Sequence, residues 1–165
     1  MDILDRLLGH DAWTTRQLLL RCRQLADEQL DRHFDIGERS LRQTFDHMIG
    51  NMEVWTDRLA ERSLRDLPSD TSIDGLLIRL TYAAKDLAEV SRRVQNEGRL
   101  DRMYTDPLDQ PPNPRPFGGM IVHVLTHSMH HRAQALYMME QLGLTDLPEG
   151  DPLDWEHKAF GWRTE

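Results

Sequence analysis

The chain has 165 residues, a net charge of −8 and a pI near 5.4, which is length enough for one well-buried core and the wrong sign for a general binder of nucleic acid or anionic membrane. Its single cysteine, Cys22, excludes an intramolecular disulfide and fits a reducing compartment. No stretch approaches the roughly 18 uninterrupted apolar residues of a membrane span, so the expectation is one domain over residues 1–165, cytoplasmic, without nucleic-acid or membrane partners.

The first residues carry Asp2 and Asp5 where a signal peptide would have a basic and then an apolar region. Helical periodicity then runs over about residues 2–26, with Leu4, Leu7, Leu8, Leu18, Leu19, Cys22 and Leu25 on one side. Cys22 on that stripe reads as a small core residue rather than a nucleophile. Trp13 and Leu20 point off the stripe and await cover from a partner or from the C-terminal tail. A second helix is predicted over about residues 37–62, where Leu41, Phe45, Met48, Met52, Trp55 and Leu59 alternate at three and four. A third begins at Thr71, where Thr71 and Asp74 have the spacing of a capping box, carries Ile73, Leu76, Leu77, Leu80, Leu87, Val90 and Val94, and ends near Gly98.

A proline-dense linker over residues 106–116 can continue neither neighbouring helix, and a short extended piece precedes it near residues 102–105. The linker leads into a fourth helix over about residues 117–142, stopped by Gly143, and is placed to form a lip over any site there. The tail beyond Leu144 is polar but holds Trp155, Phe160 and Trp162, which predicts docking onto the body. Four apolar-striped helices, short connections apart from the third, and scarce strand signals give an all-α four-helix bundle.

The fourth helix carries His123, His127, His130 and His131. A spacing of four places two imidazoles on one face, one turn apart, within reach of a single metal ion. On a helical wheel His131 falls among Met120 and Val124, His127 lies at the edge of that arc, and His123 and His130 lie further out. The inward pair is therefore His127/His131. On the second helix His47 sits to one side of the stripe beside Asn51, a position suited to a seam between two helices. His10, His33 and His157 read as ordinary surface histidines, and Met48, Met52, Met138 and Met139 as core filling rather than ligands.

Two segments carry a family resemblance. Leu41-Arg-Gln-Thr-Phe-Asp-His47-Met-Ile-Gly-Asn-Met-Glu-Val-Trp55 has a histidine followed eight residues later by an aromatic. The stretch from Pro116 through His127, His131 and Gln134, ending in Leu142 and Gly143, has the paired histidines. With these motifs, over most of its length, the chain resembles the DinB-like (damage-inducible) family of four-helix-bundle metalloproteins. It departs from the usual pattern at Ala133, where the family has glycine. The resemblance implies a divalent metal on His47, His127 and His131, a homodimer, and in some branches a transferase or isomerase working with a low-molecular-weight thiol.

Three neutral imidazoles leave the full charge of a divalent ion uncompensated and a coordination position open. Such an ion deprotonates a bound thiol, and by the same logic turns bound water into hydroxide. The ligand set does not choose between these chemistries; the family resemblance tilts the first reading toward a metal-dependent transferase that activates a small thiol for attack on an electrophilic small molecule, in stress response or detoxification. Alternatives are a metal-dependent hydrolase and a non-catalytic metal- or ligand-binding stress protein. Zinc is the first expectation for the ion, with nickel, iron and copper also suited to histidine. Asn51, Glu53 and Gln134 are candidates to support the ligating rings, and His130 is a candidate proton shuttle set against an ordinary surface role. The pattern names neither the substrate, the thiol nor the dimer interface.

Overall fold

A computed structural model describes residues 1–36, 40–148 and 150–160. Within it lie α1 (Ile3–Cys22), α2 (Asp27–Leu30), α3 (Leu41–Leu59), α4 (Ile73–Asn96), α5 (Phe117–Gln141) and α6 (Pro152–Phe160), with a pair of two-residue strands, β1 (Met103–Tyr104) and β2 (Arg115–Pro116), between α4 and α5. The extended piece predicted near residues 102–105 is β1, paired antiparallel with the end of the linker. The predicted start of the second helix at Gly37 and the tail residue Trp162 lie outside the described residues.

Helix ends follow local chemistry. Asp2 caps α1 by accepting from the Asp5 amide at 2.8 Å. α1 stops at Cys22, four residues short of the predicted end, and Leu25 packs on the core from the loop. α3 starts at a reciprocal box that the sequence reading did not single out. Ser40 Oγ accepts from the Gln43 amide at 3.3 Å and Gln43 Oε1 accepts from the Ser40 amide at 3.2 Å. On α4 the cap is Ser72 rather than Thr71, with Ser72 Oγ accepting from Gly75 N–H at 3.1 Å, while Asp74 pairs with Arg23 on α1's end. α5 ends before Gly143, whose φ of 84° suits the left-handed closing residue of a helix. Its first amides donate to carbonyls of the segment between α4 and β1, Phe117 N–H to Arg102 at 3.0 Å and Gly118 N–H to Leu100 at 2.7 Å.

α1 packs against α4 and α5, and α3 packs against the same two, so α1 and α3 stand on opposite corners of the bundle. The connection from α1 to α3 is longer than predicted and includes α2. The linker before α5 carries the chain across to the corner opposite α4, as its length allowed. Phe45, Met48, Met52, Leu76, Leu87, Phe117, Met120 and Val124 meet in the middle, all buried, with Met138 and Met139 beside them. Leu7, placed on the stripe of α1 by periodicity, is 47% exposed. Cys22 is fully buried, and burial pushes its thiol up to about 12, which confirms it as core.

α6 packs on α1, as expected of the tail. Trp155 is buried there, and a Cβ built at Gly9 would lie 2.8 Å from its ring, so the close approach of the two helices requires glycine at that point. Lys158 of α6 sits over the ring of Trp13 at 5.9 Å, and Leu20 packs on the edge of the core, so tail and core account for both side chains. Among the described residues no helix is long and apolar enough to cross a membrane.

Candidate metal centre

α3 presents His47, Asn51 and Trp55 at successive turns of one face, and α5 presents His123, His127 and His131 in the same way. The two faces meet along the α3–α5 seam. His47 lies against both His127 and His131, Asn51 against His127, and Trp55 against His123. Because the partner number falls on α5 as it rises on α3, the two helices run antiparallel here.

Among the described residues, His47, His127 and His131 bring ligating nitrogens within 4.8 Å of one another. His127 Nε2 stands 3.1 Å from His47 Nε2 and 3.2 Å from His131 Nε2. On a tetrahedral ion with bonds of roughly 2.0–2.1 Å, ligand nitrogens lie about 3.3 Å apart, so the two spacings from His127 are those of ligands on one cation. Burial, and then the neighbouring rings of His131 and His47, push His127 down to about 4. It is therefore neutral near pH 7, the protonation state a metal ligand needs.

Two amides brace the rings. Gln134 Oε1 accepts from His131 Nδ1–H at 2.8 Å, which leaves the Nε2 lone pair of His131 facing the cluster. The Gln134 Nε2 in turn reaches Nε2 of the exposed His130 at 3.0 Å. Asn51 Nδ2 lies 3.2 Å from His127 Nδ1, while its Oδ1 accepts from Trp55 Nε1–H at 2.9 Å. Of the candidate supports, Asn51 lies against His127 and Gln134 against His131, and His130 touches Gln134. Glu53 does not. It is buried on another face of α3, where it accepts from Arg79 Nη2 of α4 at 2.7 Å, and that cation also takes Asp46 at 2.5 Å. A buried carboxylate goes to the nearest cation that can neutralise it.

His47 and Asn51 border a cleft of about 650 Å³, lined also by His33, Asp46, Trp55 and Arg58. Trp55 is half-buried, packed against the edge of the core as its stripe position predicted and lining the cleft with its remaining surface. Arg58 lies over its ring at 4.8 Å and Arg115, from the end of the linker, at 5.7 Å. Arg58 is held by buried Asp106 at 2.6 Å, and Arg115 pairs with Asp109. The linker thus reaches Trp55 through Arg115 and Arg58 through Asp106. Sequence reasoning had Trp55 only as a stripe residue and as the aromatic of the family motif, read His33 as a surface histidine, and did not single out Arg58 or Arg115. The His47/Trp55 spacing of eight and the Asn51/Trp55 spacing of four placed that ring on the histidine face.

The sequence profile of the DinB family matches residues 1–159. Among solved structures, a DinB-like protein from Bacillus cereus ATCC 10987 is 22% identical and superposes with a TM-score of 0.64, covering 84% of this chain and 89% of its own. A DinB-like protein from Bacillus subtilis is 14% identical with a TM-score of 0.65, covering 90% of this chain and 96% of its own. At these identities the likeness is one of fold. No curated protein matches the chain.

Proposed function

The chain belongs to the DinB family, and from that premise we propose that it holds a divalent metal on His47, His127 and His131 and works as a metal-dependent transferase. The thiolate of a low-molecular-weight thiol would displace a leaving group from a small electrophile in the adjoining cleft, the bond to sulfur forming as the bond to the leaving group breaks and the thiol proton passing to solvent, in a detoxifying or stress-related role. The observation that carries this reading is the convergence of three imidazole nitrogens at the α3–α5 seam beside an open cleft. A divalent ion held by His47, His127 and His131 would keep its charge on three neutral ligands and would supply the Lewis acidity that lowers the pKa of a bound thiol. The protein supplies the rest. Asn51 and Gln134 orient two of the rings, and Trp55 offers a flat apolar wall to a bound small molecule. The cleft has the size of a small-molecule site, for which about 300–1,000 Å³ is usual. Zinc is the first choice of metal, and the working form is a cytoplasmic homodimer.

Elemental analysis of protein purified without added metal is expected to find one divalent ion per chain. His47→Ala and His131→Ala should lose it while keeping the helical circular dichroism of the parent. Thiol-dependent conjugation of a model electrophile, abolished in both variants, supports transfer. Ester cleavage without thiol would put hydrolysis in its place, and bound metal without either activity would leave a binding protein.

A further inference from the structure

The cleft beside the three histidines is long rather than round. Its lining follows one face of α3 at helical spacing from Gln43, past His47, Gly50 and Val54, to Arg58, roughly 22 Å at 1.5 Å per residue. The middle of this trough is apolar, with Val54 and Leu67 in its lining and no side chain at Gly50. Its two ends differ in charge. Near His47 the acid is Asp46, which is already paired with Arg79 of α4 at 2.5 Å. At the other end stands Arg58, two to three turns from His47, roughly 11–16 Å along the helix.

Arg58 is held from behind and left open in front. Its side chain is 20% exposed, and its one ion-pair partner among the described residues is Asp106, 6% exposed, which meets Nε at 2.6 Å. The other oxygen of Asp106 accepts from the Leu108 amide at 2.9 Å, so the linker fixes that carboxylate in place. The guanidinium lies over the Trp55 ring at 4.8 Å. Nε is buried, whereas Nη1 and Nη2 are open to solvent and make no hydrogen bond among the described residues. Other sheltered arginines behave differently. Arg42, Arg79 and Arg99 each turn both terminal nitrogens to carboxylate or carbonyl oxygens of the protein. A guanidinium pinned through Nε and against an aromatic ring, with its fork free on a cleft, is preorganised for a planar anion with two oxygens.

We propose that Arg58 is the anion-recognition residue of the cleft, and that the small molecule it selects is an elongated carboxylate, with its carboxylate on the Arg58 fork and its reacting end at the histidines. The proposal rests on the cleft and metal centre read above and narrows their substrate class. The carboxylate belongs to whichever cosubstrate, thiol or electrophile, lies along α3.

The test is isothermal titration calorimetry on the protein as purified, with undecanoate, long enough to reach from Arg58 to the histidines, set against its neutral amide. Undecanoate is expected to bind about 10-fold more tightly than the amide, the ratio that one charge-assisted hydrogen bond supplies. Arg58→Met should bring the two to equal affinity by weakening undecanoate alone. Arg58→Met with Asp106→Asn, which leaves no buried charge unpaired, gives the same readout if the single variant does not fold. An arginine that only ties the linker to α3 would alter the melting temperature and leave the preference for the carboxylate intact. Equal binding of acid and amide by the parent, binding of neither, or a preference that survives Arg58→Met overturns the proposal. Mercaptoundecanoate and bromoundecanoate separate the two sources, since affinity added by the thiol end assigns the carboxylate to the thiol and affinity added by the bromide end assigns it to the electrophile. Loss of the metal-site reading, seen as no metal by elemental analysis and no thiol increment to lose in His47→Ala, leaves the Arg58-dependent preference for undecanoate in place, so the two failures are told apart.

Discussion

His127 is the ring on which the site turns, because both other imidazoles approach its Nε2 and burial and those neighbours hold it neutral. An imidazole that resists protonation to about 4 in the fold, against an ordinary value of 6.5, takes its proton sooner when the chain unfolds. Acid between those values therefore favours the unfolded state. Urea melts of the metal-free protein should show stability falling as pH drops from 6.5 towards about 4. His127→Gln should flatten that part of the profile, and an unchanged slope would assign it to other groups. Gln134 makes a second prediction at this scale. Gln134→Leu removes the acceptor for His131 Nδ1–H, and Zn2+ affinity by chelator competition should fall about 10- to 100-fold with little change in melting temperature. The spacing of His127 and His131 was legible because helix geometry alone sets it. The role of Trp55 was not, since its place on the apolar stripe is equally that of a core residue.

At the scale of elements, the seams are held by buried charge as well as by apolar packing. Asp11 of α1 and Arg132 of α5 are both buried and paired with each other, and Arg132 also reaches Thr15 Oγ1 at 3.3 Å. Removing one partner leaves the other charged and dry, so Arg132→Met should lower the free energy of unfolding by about 3–5 kcal/mol in urea titration. Adding Asp11→Leu to it should restore most of the loss, since an apolar pair of similar volume replaces an ion pair nearly neutrally. At the end of α3, buried Asp57 accepts from Arg62 at 2.7 Å and from the Arg65 amide at 2.8 Å, and both arginines reach Asp86 on α4. Burial alone would raise this carboxyl, but the bonds from Arg65 and Arg62 outweigh it and hold it at about 2. None of these pairs could be read from the sequence. A charged residue on a helix reads as solvent-facing until the neighbouring helix supplies its counter-ion. The early end of α1 at Cys22 and the exposure of Leu7 have a similar origin, because periodicity reports which face is apolar but not how far along the partner extends.

For the molecule as a whole, α6 completes the bundle by covering α1, the corner opposite α3 and its histidine. Trp155 fills the gap over Gly9, and Arg6 on α1 is paired with Glu156 on α6 at 2.5 Å. Trp155→Ala should cost about 3 kcal/mol, as for other buried tryptophans, and lower the calorimetric melting temperature. Zn2+ stoichiometry should be unchanged in that variant, because the tail does not line the α3–α5 seam. Loss of metal along with the tail contact would mean that the two ends of the bundle are coupled.

Local covalent geometry determined what could be read in one dimension. The four long helices, the glycine that stops α5, the linker that cannot be helical and the inward His127/His131 pair all follow from residue spacing at 3.6 per turn and from proline and glycine backbone chemistry. Which helices are neighbours is a property of the summed burial of all of them, and no single stripe contains it. Only the packing set α3 antiparallel beside α5, brought His47 to the paired imidazoles, and turned Asn51 and Trp55 from two polar and apolar letters on one helix into a braced contact with His127.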